Sequence, residues 1–116
     1  MRLYTLWQGG TCVFADGTAE SLHGQCARHR VTWLELSPLH GADLLAASRV
    51  EGMLPAYTAV RVGGARVPIA LRRAIISAAS PRLFVSYGTT ETSLVAVADP
   101  TMHDARETVG PPAAGV

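Results

Sequence analysis

Short β-rich runs alternate with helical patterns along this chain, and that alternation restricts its fold more than any other feature. Thr11-Cys12-Val13-Phe14-Ala15 is an apolar run set between Gly9-Gly10 and the turn signal Asp16-Gly17, and predicts a buried strand. From Thr18, read as an N-cap, the pattern turns helical: Ala19, Leu22 and Cys26 share one face while Glu20, Gln25 and Arg28 point away, to an end near His29. Residues 31–36 predict a second strand, which Ser37-Pro38 stops while capping a helix over about 39–49. Residues 57–62 predict a β-branched third strand running into Gly63-Gly64. A helix over 67–79 follows, with Leu71, Ala74, Ile75, Ala78 and Ala79 on its inward stripe and Arg72, Arg73 and Ser80 opposite. Strands over 82–87 and 93–98 complete the order βαβαβαββ. Helical crossovers of this length join parallel neighbours, so the expected class is α/β: a mainly parallel sheet flanked by helices.

Length and charge remove several functions. A chain of 116 residues has room for one core, and 48% hydrophobic residues can fill it. Ten basic and nine acidic residues leave a net charge of +1, too little to hold a nucleic-acid backbone or an anionic membrane. All ten basic residues are arginine. Without lysine there is no Schiff base, no Ser-Lys dyad and no phosphate-loop lysine. Cys12 and Cys26 form no framework or CxxC pair and read as reduced thiols. No stretch of 18 apolar residues and no signal segment is present, so a soluble cytoplasmic chain is expected.

Histidine-centred chemistry finds little support. His23 and His29 fall about 120° apart around a helix, too far to ligate one ion with Cys26. His40 and His103 read as surface or loop residues, and Ser86 lacks the surroundings of a nucleophile elbow. The segment Ser86-Tyr87-Gly88-Thr89-Thr90-Glu91-Thr92 is different, because a glycine, hydroxyls and a carboxylate directly follow a buried strand. Ligands of parallel sheets sit beyond the carboxyl ends of the strands. This segment and Gly63-Gly64 are therefore expected on one rim. A threonine hydroxyl can donate to a phosphate, a glutamate can hold Mg²⁺ and a tyrosine face can stack on a base, which suits a nucleotide bound with magnesium.

Tyr87-Gly88-Thr89-Thr90-Glu91 resembles the Y-G-x-T-E motif of the adenylate-forming superfamily, which includes acyl-CoA synthetases, peptide-synthetase adenylation domains and luciferases. Gly63-Gly64-Ala65 resembles that family's glycine-glycine-alanine turn, with Arg66-Val67 in place of the usual proline-leucine. Thr108-Val109-Gly110-Pro111-Pro112 resembles its T-V-G-x-P stretch, with Pro111 where a basic residue is common. Gly10-Thr11-Cys12-Val13, Val31-Thr32-Trp33 and Ser37-Pro38 are similar to its less specific strand pattern, so the resemblance covers nearly the whole chain.

The resemblance implies a ligase that activates a carboxylic acid with ATP and Mg²⁺ to an acyl-adenylate and pyrophosphate, then passes the acyl group to CoA or a carrier-bound thiol. Carried over by position, Tyr87 stacks on adenine, Thr90 hydrogen-bonds the phosphate beside Thr89, and Glu91 binds Mg²⁺. Thr90 and Glu91 form the catalytic pair. Gly63, Gly64 and Ala65 border the adenine and acyl pocket, and Gly88 lines its acyl side. The family's phosphate loop and its C-terminal domain each carry a lysine, and this sequence has none. Residues 1–116 are therefore expected to be a partial AMP-binding domain, with the phosphate loop upstream and the hinge and C-terminal domain downstream, inactive alone. The alternative is a non-catalytic α/β module or remnant that associates with another chain, which would supply the missing groups.

Overall fold

The computed structural model describes residues 2–15, 17, 19–104 and 106–115. Among these residues four helices, α1 (Arg2–Trp7), α2 (Leu22–Arg28), α3 (Pro38–Glu51) and α4 (Ile69–Ala78), accompany four strands, β1 (Trp33–Leu36), β2 (Ala59–Gly63), β3 (Leu83–Thr89) and β4 (Ser93–Ala98). The strands form one sheet in the order β1-β2-β3-β4. β1 and β2 pair in parallel, as do β2 and β3, while β3 and β4 form an antiparallel hairpin. The expected α/β class and mostly parallel sheet are thus present.

Alternation along the strands decides where the core lies. Val60, Val62, Leu83 and Val85 turn to one face and pack with Leu44 of α3 and Ile75 of α4, all at most 2% exposed. Each such aliphatic side chain contributes about 1.5–3 kcal/mol through removal from water. The opposite face carries Trp33, Glu35, Arg61, Phe84 and Ser86, half-buried or exposed. There the Trp33 and Phe84 rings meet at 5.0 Å and Arg61 pairs with Glu35 across the β1–β2 ladder.

The expected first strand is absent among the described residues. Residues 11–15 form no strand; they run irregularly, with Val13 and Phe14 exposed. A β-rich run becomes a strand only where a neighbour completes its ladder, and among the described residues β1 pairs only with β2. In place of an N-terminal strand there is α1, unmarked by a long apolar period because it has six residues. Its last carbonyls bond to the amides of Gln8, Gly9 and Gly10. Among the described residues it packs against no other helix or strand.

The other elements differ mainly at their ends. Ser37 caps α3 as expected, its hydroxyl accepting from the His40 amide at 3.3 Å, with Pro38 in the first turn. Ser21 caps α2. Thr18, the expected cap, and Asp16 of the turn before it lie outside the described residues. Arg72 and Ser80, expected on the outer side of α4, are 2% and 3% exposed. The Arg72 guanidinium turns inward to backbone carbonyls, and the Ser80 hydroxyl donates to the Thr58 carbonyl. Beyond β4, residues 111–113 run along its free edge: Ala96 bridges Pro112, and the Ala113 amide donates to the Val95 carbonyl at 2.7 Å. Proline is tolerated at such an edge because no further strand needs its missing donor.

Candidate functional site

Parallel register brings the two glycine-containing turns together. Gly63 at the end of β2 stands opposite Ser86 of β3, so the chain leaving β2 and the outer half of β3 share one rim of the sheet. Between them lies a cavity of about 390 Å³. Gly64 and Ala65 form one wall, and Tyr87, Gly88 and Thr89 form the other. Arg66, Arg72, Glu107 and Val109 close its third side. A second cavity of about 260 Å³ shares Gly64 and Ser86 with the first and adds Gly63, Glu35 and Arg61. The volume of the larger one lies within the range of small-molecule sites.

A bulge shapes the second wall. Tyr87 stands opposite Ala96 but Gly88 opposite Leu94, which leaves Val95 without a partner in the ladder. The strands close in tightly at that point. A Cβ on Gly88 would lie 2.0 Å from the Ser93 carbonyl oxygen, so only glycine fits. Tyr87 is 53% exposed and lines the cavity, so a ligand can reach its ring.

The hairpin tip is ordered by its own hydroxyls. The Thr89 amide donates to the Thr92 hydroxyl and the Thr92 amide to the Thr89 hydroxyl, each at 3.1 Å. Ser93 completes the turn in the left-handed region at φ 57°. Glu91 is exposed at this tip, and its own backbone N–H, followed by the Thr89 hydroxyl, holds its carboxyl below the ordinary range. It is therefore anionic at neutral pH. Thr90 and Glu91 do not line either cavity; they project from the exposed tip beyond Thr89.

The third side of the cavity was not anticipated from the sequence. The Glu107 carboxylate accepts the Ile69 amide at 3.0 Å and the Arg66 Nε at 2.8 Å. The Ile69 amide, and after it Arg66, hold the Glu107 carboxyl below its ordinary value. Arg72 donates from Nε to the Val67 carbonyl at 2.9 Å and from Nη1 to the Thr108 carbonyl at 2.5 Å. Burial lowers its pKa and the nearby Glu107 charge opposes that, yet a guanidinium stays protonated in proteins. The one sequence signal for this side was the resemblance at Thr108-Val109-Gly110, which fixes neither contact. Elsewhere Cys26 is buried, which pushes its thiol pKa up. No cluster of three or more His, Cys, Asp or Glu able to hold a metal occurs among the described residues. A single carboxylate such as Glu91 still fits Mg²⁺, which commonly takes one or two carboxylates and completes its shell with phosphate oxygens and water. No helix among the described residues is long and apolar enough to cross a membrane.

The family described as AMP-binding enzyme matches residues 2–116. Among solved structures, wild-type E. coli MenE with a bound m-phenylether-linked analogue of OSB-AMS aligns with a TM-score of 0.68 at 28% identity, covering 95% of this chain and 22% of that one. A variant of E. coli MenE with bound OSB-AMS aligns at 0.57 and 28%, covering 72% and 17%. The Klebsiella oxytoca NpsA N-terminal subdomain in complex with 3-hydroxyanthranilyl-AMSN aligns at 0.57 and 22%, covering 75% and 22%, a likeness of fold alone. The chain thus spans 17–22% of the length of these structures. No curated protein matches it.

Proposed function

The chain belongs to the AMP-binding enzyme family, and from that premise we propose that its rim cavity is one wall of the nucleotide and acid site of a carboxylic acid-activating ligase. Its mixed α/β sheet matches the N-terminal domain of adenylate-forming enzymes. One observation carries the reading: Gly64-Ala65 and Tyr87-Gly88-Thr89 face each other across a single 390 Å³ cavity at the carboxyl ends of β2 and β3. Ligands bound to two of the similar structures carry the AMS group, which supports a nucleotide-like occupant here as well.

In this reading Tyr87 stacks on adenine, and Gly63, Gly64 and Ala65 border the adenine and acyl groups. Gly88 lines the acyl side, where its missing side chain lets the Ser93 backbone close in behind the wall. Thr89 orders the hairpin tip from which Thr90 donates to a phosphate oxygen and Glu91 binds Mg²⁺ through its carboxylate. Bound there, Mg²⁺ supplies charge neutralisation at the phosphates. Overall the ligase converts acid and ATP to acyl-adenylate and pyrophosphate, and CoA or a carrier-bound thiol then takes the acyl group and releases AMP. This sequence has no lysine, so the two lysine charges of the family's phosphate loop and C-terminal domain are not supplied by it. Residues 1–116 alone are then inactive, and the phosphate loop, hinge and C-terminal domain that complete the ligase lie outside them.

Titration calorimetry with ATP and Mg²⁺ tests the assignment. Wild type is expected to bind weakly, with Thr90→Ala and Glu91→Ala each weakening binding about 5- to 10-fold and Glu91→Ala also abolishing the magnesium dependence. Equal binding by all three, or magnesium dependence that persists in Glu91→Ala, contradicts it.

A further inference from the structure

We infer that Arg66 and Glu107, backed by Arg72, are positioning residues that set the width of the rim cavity by tying the turn after β2 to the 107–110 segment. The inference rests on reading that cavity as the nucleotide site. The first amides of a helix need outside acceptors, and the N-cap position of α4 is Pro68, whose ring carries no hydrogen-bonding group. The acceptor comes from 38 residues along the chain: Glu107 Oε1 takes the Ile69 amide at 3.0 Å, where the helix dipole favours a negative charge. Glu107 Oε2 takes Arg66 from the turn itself, through Nε at 2.8 Å and Nη2 at 2.7 Å. One carboxylate therefore joins the turn, α4 and the far segment.

Arg72 repeats the connection from beneath, since its buried guanidinium spans the Val67 and Thr108 carbonyls. All three side chains line the cavity. The Arg66 side chain is 78% exposed, and an ion pair so open to water adds little to global stability. Its effect is local: it fixes the spacing between the Gly64-Ala65 wall and the Thr108-Val109 side. Neither residue needs to touch the ligand.

The test combines amide hydrogen exchange of the free chain with dissociation constants for AMP and for adenosine, in wild type, Glu107→Gln, Arg66→Ala and the double variant. Arg66→Ala leaves the helix cap in place and so serves as the variant sure to fold. Exchange is expected to rise about 5-fold or more at 65–67 and 109–110 together in both single variants, while β1 and β2 keep wild-type rates. Affinity for AMP and adenosine is expected to fall alike, about 5-fold, with no further loss in the double variant and recovery in Arg66→Lys. Unchanged exchange at 65–67 in Glu107→Gln overturns the inference. So does a loss in Arg66→Ala confined to AMP, which would mark a direct phosphate contact. If wild type binds neither nucleotide while exchange rises as expected, the clamp stands and the nucleotide reading falls.

Discussion

Gly88 shows how one missing side chain shapes the rim. With a would-be Cβ 2.0 Å from the Ser93 oxygen and 2.9 Å from its carbonyl carbon, neither contact being with a flexible tip, Gly88→Ala must push β3 and β4 apart. We expect a loss of about 1–3 kcal/mol in urea unfolding, and wild-type stability would contradict the close approach. Glu107 gives a pH dependence whose sign follows from its contacts. The Ile69 amide and then Arg66 lower its folded pKa below the ordinary 4.5, so its stabilisation is complete above that value and is lost as pH falls through the folded value. Melting temperatures measured from pH 6 downward should fall more steeply in wild type than in Glu107→Gln. Some slope remains in the variant, because Asp99 and Glu91 also have lowered values. Parallel curves would exclude the contacts. At this scale Tyr87, Gly88 and Thr89 were readable because they follow one another on a strand. Arg72 and Glu107 were not, since the partners that tie them across the cavity lie 36 to 41 residues away and helical periodicity alone turned Arg72 outward.

Among the elements, those with caps and crossovers were legible. Ser37-Pro38 announces α3, and Ser37→Ala should cost about 1 kcal/mol, measured by thermal or urea unfolding. A change of a few tenths would mean that the cap carries no weight despite the second contact of its hydroxyl with His40 Nδ1 at 3.0 Å. Strands β1 to β4 were legible because β-branched and apolar runs end at turn residues. The run at 11–15 has the same composition without the ladder, and local sequence cannot tell the two apart. α1 fails the other way: six residues give too few turns for a period to register.

At the scale of the whole molecule, one face of the sheet is packed and much apolar surface is not. Leu3, Trp7 and Val50 are each more than 80% exposed, and Leu39 and Phe14 more than 60%. Such surface seeks cover. Sedimentation velocity at about 50 μM is expected to show self-association, as exposed apolar patches of this kind drive, and a sharp monomer would count against residues 1–116 being part of a larger domain. At the rim of the sheet, a nucleotide would lie between two turns that the parallel strands set side by side. An AMP titration followed by amide chemical shifts tests it most directly. Saturable shifts are expected to cluster at Gly64, Ala65, Tyr87, Gly88 and Thr89, with α2 and the far end of the sheet unmoved; saturable shifts elsewhere, or none at these five, would contradict a nucleotide at this rim.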